Sequence, residues 1–305
     1  MAASAVPSVG QLPAWMRKLA PELPAGLAGG RSTGVQAPVA SEVGLLQVEV
    51  GPAHKRRLLP VHYALPDRPA ADAAVLVVLH GIERNARQYL DLWRDLALHR
   101  GYLVVAPEFS VPPFHRTRGY QMGNLFRRDG GRRPPQESAF AALEQVFDTL
   151  RERFGLAATE YALFGHSAGA QFVHRMVLFW PRVRYRLAVA ANAGTYTCLD
   201  PAVPLRFGIA DAGLDRADLV RALAAPLVVM AGARDTDTRH PALNRSPPAL
   251  AQGRHRLARA AYFMAQARRM ARQLETPVAW RYQEVPGAGH EPAAMAAAAA
   301  GLLDT

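Results

Sequence analysis

The chain has 305 residues, half of them hydrophobic and a fifth charged, which is the composition of a soluble globular enzyme with one large domain or two small ones. Its formal net charge is +11, but almost all the basic residues are arginine, with lysine only at Lys18 and Lys55. We attribute this excess to coding bias and predict no nucleic-acid partner, with an acidic or phosphate-bearing partner as the alternative. Since no apolar run approaches the ~20 residues of a membrane-spanning helix, we predict no membrane span.

Residues 1–42 are rich in Ala, Pro and Gly and show no hydrophobic period, so they predict a flexible extension ahead of a catalytic domain at 43–305. The first thirty residues lack the ordered regions of a signal peptide, and Cys198 is the only cysteine, which excludes an intrachain disulfide. The sequence therefore predicts a cytoplasmic protein. It does not indicate an oligomeric state.

Two segments, Leu45–Val50 and Leu58–Leu65, alternate apolar and polar residues and predict an antiparallel pair of strands. Continuous apolar runs further along predict strands buried on both faces: Val75–Leu79, Leu103–Ala106, Tyr161–Phe164, Leu187–Ala191, Leu227–Ala231 and Val278–Val285. Between them lie helical segments: Arg87–Arg100, Ser138–Phe154 and Ala168–Leu178. This alternation predicts an α/β fold with a doubly wound, mostly parallel sheet and antiparallel N-terminal strands.

A further helix is predicted at Arg254–Leu274, where apolar residues recur at helical spacing and indicate packing on the sheet. Its opposite side is expected to face solvent and carries Arg259, Tyr262, Arg269 and Arg272.

Two stretches, 107–136 and 195–225, do not fit the alternation and are predicted to be loop insertions that wall the functional site. Five of their aromatic residues form either an apolar acyl pocket or ordinary packing: Phe109, Phe114, Tyr120, Tyr196 and Phe207. The first insertion is also rich in arginine, which suggests an anionic substrate as one hypothesis: Arg116, Arg118, Arg127, Arg128, Arg132 and Arg133.

The pentapeptide Gly165-His166-Ser167-Ala168-Gly169 matches the G-x-S-x-G nucleophile elbow. A predicted strand runs directly into it and a predicted helix runs directly out, which is the setting that exposes the serine hydroxyl on a strained turn. We therefore predict Ser167 as the nucleophile.

A serine hydroxyl needs a base, and His290 follows the last predicted strand in the glycine-containing loop Pro286-Gly287-Ala288-Gly289. His255, His240 and His174 are weaker candidates because of their places in or beside helices and prolines. His290 is therefore the predicted base.

The acid is expected just after the strand Leu227–Ala231, where Asp235 and Asp237 are both candidates. Asp235, three residues past Gly232, is favoured, and Asp237 is the alternative.

The developing oxyanion needs two N–H donors. Ala168, which follows the nucleophile, supplies one, and Ile82, after the pair His80-Gly81, is predicted to supply the other in preference to Glu83. His80 itself is expected to have a structural role.

The elbow, His80-Gly81, Asp235 and His290 match in order and setting the α/β-hydrolase superfamily, which the chain resembles from Val75 to Met295. Within it, the chain is similar to bacterial esterases and hydrolases like the polyhydroxyalkanoate depolymerases. The resemblance implies the α/β-hydrolase fold and a serine hydrolase of small or oligomeric carboxylic esters that works through an acyl-enzyme, without cofactor or metal. A thioesterase, amidase or acyltransferase on the same triad, or a non-catalytic binding protein, remains an alternative.

Overall fold

The computed structural model describes residues 42–181 and 184–304. The predicted extension at 1–42 lies outside this range except for its last residue, Glu42. Within the described residues, eight strands form one sheet: β1 (Val43–Val50), β2 (Arg57–Ala64), β3 (Ala74–Leu79), β4 (Tyr102–Pro107), β5 (Tyr161–His166), β6 (Tyr185–Ala191), β7 (Leu227–Gly232) and β8 (Arg281–Val285).

The strands are arranged in the order β1-β2-β4-β3-β5-β6-β7-β8. The pairs β1/β2 and β2/β4 are antiparallel, and every other neighbouring pair is parallel. Because the carboxyl ends of the parallel strands β3, β5, β6, β7 and β8 share one edge, the loops that follow them meet there. The predicted doubly wound sheet with antiparallel N-terminal strands is confirmed.

The helices of the described residues are α1 (Ala86–Leu98), α2 (Arg116–Gly119), α3 (Ala139–Phe154), α4 (Ala168–Phe179), α5 (Arg216–Leu223), α6 (Pro247–Gln252), α7 (Arg256–Gln273) and α8 (Pro292–Ala300). Local signals set their ends: the Ser138 side chain accepts a hydrogen bond from Ala141 N–H at the start of α3, and Gly155 ends that helix at φ 63°.

The strands are apolar on both faces because helices cover both. Val75, Val77 and Leu79 of β3 pack with residues of α3, α4, α5 and α7, and the alternating Leu76 and Val78 pack with residues of α1 and α8. This division into two cores follows from the two-residue period of a strand. Among the described residues, no helix has both the length and the apolar character to cross a membrane.

Helices α2, α6 and α8 were not predicted from the sequence, and two other regions differ from their predicted form. Strand β8 begins at Arg281 and not at Val278, because Ala279 N–H and the Trp280 indole donate hydrogen bonds to carbonyls at the end of α5 instead of to β7. The insertion at 195–225 contains α5, whose start is fixed by a capping box between Asp215 and Asp218.

Helix α7 also differs from expectation on its polar side. Arg269 and Arg272 are exposed as predicted, but Arg259 is fully buried. Its guanidinium donates hydrogen bonds to the carbonyls of Gly194, Asn244 and Gly253. The prediction for Arg259 was wrong because loops outside the helix cover that side.

Candidate active site

Ser167 occupies the turn between β5, which ends at His166, and α4, which begins at Ala168. Its backbone has φ 55° and ψ −107°, a conformation that L-residues rarely adopt. The flanking glycines allow this turn to pack tightly: a Cβ on Gly169 would lie 2.3 Å from the Leu79 carbonyl oxygen, and one on Gly165 would lie 2.4 Å from the Gly169 oxygen. The sequence between a buried strand and a helix thus produces the strained turn expected of a nucleophile elbow.

The structure brings the three side chains predicted as a triad into one line. His290 Nε2 lies 3.2 Å from Ser167 Oγ, and His290 Nδ1 lies 2.7 Å from Asp235 Oδ2. The Asp235 side chain is 2% exposed and that of His290 is 21% exposed. A buried carboxylate, a partly accessible imidazole and a serine hydroxyl therefore lie in sequence at the carboxyl edge of the sheet.

Asp235 has a second partner that fixes its orientation. Its Oδ1 accepts a hydrogen bond of 3.2 Å from Nη1 of the buried Arg256. Burial alone would raise the pKa of Asp235, but the hydrogen bonds and positive charge supplied by His290 and Arg256 lower it below its ordinary value. The carboxylate is therefore ionised at neutral pH.

Asp237, the other predicted acid, is exposed, and its Oδ1 accepts a hydrogen bond from Arg239 N–H within the same turn. The geometry brings Asp235 and not Asp237 to His290.

Asn192, directly after β6, holds together the loops that carry the acid and the base. Its Oδ1 accepts a hydrogen bond from Gly232 N–H at the end of β7, and its Nδ2 donates to the Gly289 carbonyl beside His290, each over 2.8 Å. The two loops also touch directly, since a Cβ on Gly232 would lie 2.3 Å from the Gly289 oxygen.

His80 lies beneath the site with both ring nitrogens engaged. Nδ1 is bonded to the Gly81 carbonyl at 2.9 Å, and Nε2 accepts from Phe109 N–H at 3.1 Å. Burial lowers the pKa of His80 to about 3, so the ring is neutral. The expected structural role of His80 agrees with these contacts.

The two predicted oxyanion donors lie at the ends of different elements: Ala168 is the first residue of α4, and Ile82 lies just past β3. Among the described residues, no carbonyl accepts from Ile82 N–H. The turn after β3 that carries Ile82 is held in place by Arg84, which donates hydrogen bonds to the carbonyls of Phe109, Phe114 and Arg116.

A cleft of about 300 Å³ lies beside the turn that carries Ile82. Its lining includes Ile82, Gln171 on the first turn of α4, Thr195 and Arg206. The five aromatic residues weighed as an acyl pocket do not line it; all are buried, and Phe109 and Tyr120 stack on each other above the His80 ring. Ordinary packing is the interpretation that the structure supports.

The remaining histidines occupy other positions. His174 is buried and hydrogen-bonded to the Ala170 carbonyl and to Thr197 N–H. His255 caps the start of α7, where its side chain accepts a hydrogen bond from Ala258 N–H. His240 lies near the site, its ring centroid 5.6 Å from that of His290, and is bonded to Arg256. Among the residues that the structure describes, no group of three His, Cys, Asp or Glu side chains is placed to hold a metal ion.

Arg256 and Asn192 were not assigned roles by the sequence analysis. Arg256 begins α7 and Asn192 follows β6, and neither lies in a motif that indicates what it contacts. The side chain of Gln252, four residues before Arg256, is hydrogen-bonded to the backbone N–H and carbonyl of Tyr196.

The sheet order and the serine turn after β5 define an α/β protein with the architecture of a hydrolase. No family model and no curated protein matches the chain. Two solved structures match it closely. Poly(aspartic acid) hydrolase-1 from Sphingomonas sp. KT-1 is 39% identical, with a TM-score of 0.81 over 87% of this chain and 98% of that one. LpqC, a poly(3-hydroxybutyrate) depolymerase from Bordetella parapertussis, is 33% identical, with a TM-score of 0.79 over 86% of this chain and 90% of that one.

An S-formylglutathione hydrolase from Staphylococcus aureus, 13% identical with a TM-score of 0.54 over 87% of this chain and 98% of that one, shares the fold alone. The identities and coverage of the first two structures place the chain in a family: it belongs to the α/β-hydrolase superfamily and is related to its esterase- and depolymerase-type hydrolases.

Proposed function

We propose that the protein is a serine hydrolase that cleaves a carboxylic ester through an acyl-enzyme intermediate, with Ser167, His290 and Asp235 as its catalytic triad. The observation that carries the proposal is the continuous line of contacts from Ser167 Oγ through His290 to Asp235. Each of the three residues also lies just after a strand of the sheet, in the order that this fold uses.

In the proposed mechanism, His290 Nε2 takes the proton of Ser167 as the serine oxygen attacks the ester carbonyl. Asp235 accepts the hydrogen bond of His290 Nδ1–H, which sets the tautomer and stabilises the imidazolium. The lowered pKa of Asp235 supports this role, since the carboxylate stays ionised while the imidazole is charged. His290 then protonates the leaving alcohol, and a water molecule activated by the same imidazole releases the acid.

The oxyanion of each tetrahedral intermediate would be held by N–H of Ala168 and of Ile82. Two features support this assignment. The Ala168 N–H is at the start of a helix, where backbone donors point outward. The Ile82 N–H lacks a carbonyl partner among the described residues, and the Arg84 contacts hold its turn in place.

The kinship with a poly(3-hydroxybutyrate) depolymerase favours an ester, since that polymer is a polyester. An amide is the second candidate, because the 39% identical relative hydrolyses poly(aspartic acid), a polyamide. Both reactions would use the same nucleophile, base and oxyanion donors.

The test uses the purified protein with p-nitrophenyl butyrate and, separately, with a fluorophosphonate probe. We expect release of p-nitrophenol and covalent labelling at Ser167, identified by mass spectrometry. The Ser167→Ala variant should neither release p-nitrophenol nor be labelled, and circular dichroism checks that it is folded. Failure of the folded wild-type protein to react with the probe would overturn the assignment of Ser167. Labelling at Ser167 without ester turnover would contradict the ester as substrate and favour the amide.

A further inference from the structure

The two insertions meet in a second cleft, of about 530 Å³. Arg118 and Arg128 of the first insertion and Arg206 of the second lie on its wall, and its apolar lining includes Met122 and Phe126. The insertions are tied together here by Arg132, which donates a hydrogen bond of 2.7 Å to the carbonyl of Ala212. The cleft is therefore a formed part of the fold.

Arg118 donates a hydrogen bond to the Arg127 carbonyl, but within the described part of the chain no carboxylate pairs with the guanidinium groups of this cleft. Within the described residues, none of the ion pairs involves Arg118, Arg128 or Arg206, although Asp129 and Asp211 are on the same wall. Asp129 instead accepts a hydrogen bond from Gly131 N–H. The positive charge of the cleft is thus left open to a ligand.

Arg206 is the best defined of these groups. It is half-buried, and its guanidinium carbon lies 4.8 Å from the centroid of the Phe207 ring. Burial and the neighbouring charge of Arg118 both lower the pKa of Arg206. Arg118 is exposed beside it, and a bound anion would offset the repulsion between the two positive charges.

Arg206 also belongs to the wall of the smaller cleft, the one that contains Ile82. Arg206 and Thr117 line both the 530 Å³ cleft and the 300 Å³ cleft that contains Ile82 and Gln171. Gln171 is four residues after Ser167 on α4, and its N–H donates to the Ser167 carbonyl. The 300 Å³ cleft is thus lined both by the first turn of the helix that follows Ser167 and by the two residues that it shares with the larger cleft.

We propose that Arg206 and Arg118 form a subsite for a carboxylate of the substrate, several bonds from the carbonyl that Ser167 attacks. The inference rests on the proposed function. Planar guanidinium groups pair with carboxylates through parallel hydrogen bonds, and the apolar lining of the cleft suits the methylene groups between the two ends. The substrate class is thus an acidic ester or amide chain.

The experiment compares p-nitrophenyl hexanoate with mono-p-nitrophenyl adipate, in which a carboxylate replaces the terminal methyl group. In the Arg206→Gln/Arg118→Gln double variant, the ratio of kcat/KM for the adipate to kcat/KM for the hexanoate should fall about tenfold or more, mainly through KM. The control is Arg268→Gln/Arg269→Gln on the exposed side of α7, which removes the same net charge and should leave the ratio as in wild type. An unchanged ratio in the cleft variant, or an equal fall in the control, would overturn the subsite.

A second measurement separates the subsite from the proposed chemistry. Monomethyl adipate is titrated into the Ser167→Ala variant while the backbone amide signals are followed by NMR. Saturable shifts that disappear in the Ser167→Ala/Arg206→Gln/Arg118→Gln variant support the subsite even if no ester is cleaved. The absence of shifts overturns it even if the esters are cleaved.

Discussion

Nη1 of Arg256 lies 3.2 Å from Oδ1 of Asp235, and the side chains of both residues are 2% exposed. The other oxygen of the carboxylate faces His290. Arg256 therefore contacts the acid from the side opposite the imidazole. Because the pair is buried, loss of the guanidinium would leave a carboxylate that water cannot stabilise and whose orientation is no longer fixed.

The Arg256→Gln variant should accordingly be a slower enzyme. We expect kcat to fall about 10- to 100-fold through misplacement of the carboxylate and imidazole. Without the positive charge the pKa of Asp235 rises toward its unfolded value, so the Tm of the variant should fall less than that of wild type between pH 7 and pH 3. The exposed Arg254→Gln is the matched control and should behave as wild type. A kcat of Arg256→Gln equal to that of wild type would show that the pair does not position the acid.

The choice between the two aspartates can be tested directly. Asp235→Asn should lower kcat about 10⁴-fold, because an amide can hold the imidazole in the wrong tautomer and cannot stabilise its charge. Asp237→Asn should stay within about twofold of wild type, since surface substitutions away from such contacts have small effects. Steady-state hydrolysis of an activated ester measures both. The reverse order of the two effects would identify Asp237 as the acid.

Asp235 should also contribute to stability in a pH-dependent way. Its pKa is lower in the folded protein than the ~3.9 of an unfolded aspartate, so its ionised form favours folding above that pH and the contribution is lost as pH falls through the folded pKa. The difference in Tm between wild type and Asp235→Asn should therefore be more in favour of wild type at pH 7 than at pH 3. Thermal melts at the two pH values check this, and a difference independent of pH would contradict the lowered pKa.

The backbone of Ser167 offers a test of the elbow that does not depend on activity. At φ 55° and ψ −107° a side chain costs about 1–3 kcal/mol, and glycine does not carry that cost. Ser167→Gly and Ser167→Ala should both be inactive, but the glycine variant should be about 1 kcal/mol more stable than the alanine variant, after allowance for its greater entropy when unfolded. Urea unfolding measures the difference. Equal stabilities would mean that the turn stores no strain.

Asn192 should affect both stability and rate. Asn192→Ala leaves Gly232 N–H and the Gly289 carbonyl without partners, which costs about 1–3 kcal/mol, and frees the loops of Asp235 and His290 to separate. Asn124→Ala is the matched control: Asn124 has a positive φ of 54°, close to the 53° of Asn192, and its side chain also donates a hydrogen bond to a backbone carbonyl, that of Glu137. Both variants should melt at lower temperature, and only Asn192→Ala should lose kcat. A loss of stability without loss of rate at Asn192 would limit it to a structural role.

The strands and the line from Ser167 to His290 could be predicted because their signals are local. The run Tyr161–Phe164 is continuously apolar, which by itself indicates a strand buried on both faces. The elbow glycines lie in the same pentapeptide as the serine, so that motif is also visible in a short stretch of sequence. His290 and Asp235 followed from the order of strands. Helix α5 also had a local signal, the aspartates at 215 and 218, which was not recognised.

Arg256 and Asn192 could not be found in this way, because their partners are distant in the chain and are chosen by tertiary packing. Asn192 is 40 residues from Gly232 and 97 from Gly289. The burial of Arg259 was missed for the same reason: helical periodicity reports which side of α7 faces the sheet, but not that the chain at Gly194, Asn244 and Gly253 covers the other.

Arg259 gives the last prediction, which concerns stability. Its guanidinium satisfies three carbonyls in a buried site, and burial lowers its pKa to about 10, so it remains charged at neutral pH. Arg259→Met keeps much of the volume but leaves those carbonyls unpaired, and we expect a loss of about 3 kcal/mol or more. Arg269→Met, on the exposed side of the same helix, should change stability by less than about 0.5 kcal/mol. Urea unfolding of the two variants beside wild type measures this contrast, and similar stabilities would mean that the carbonyls find water when the guanidinium is removed.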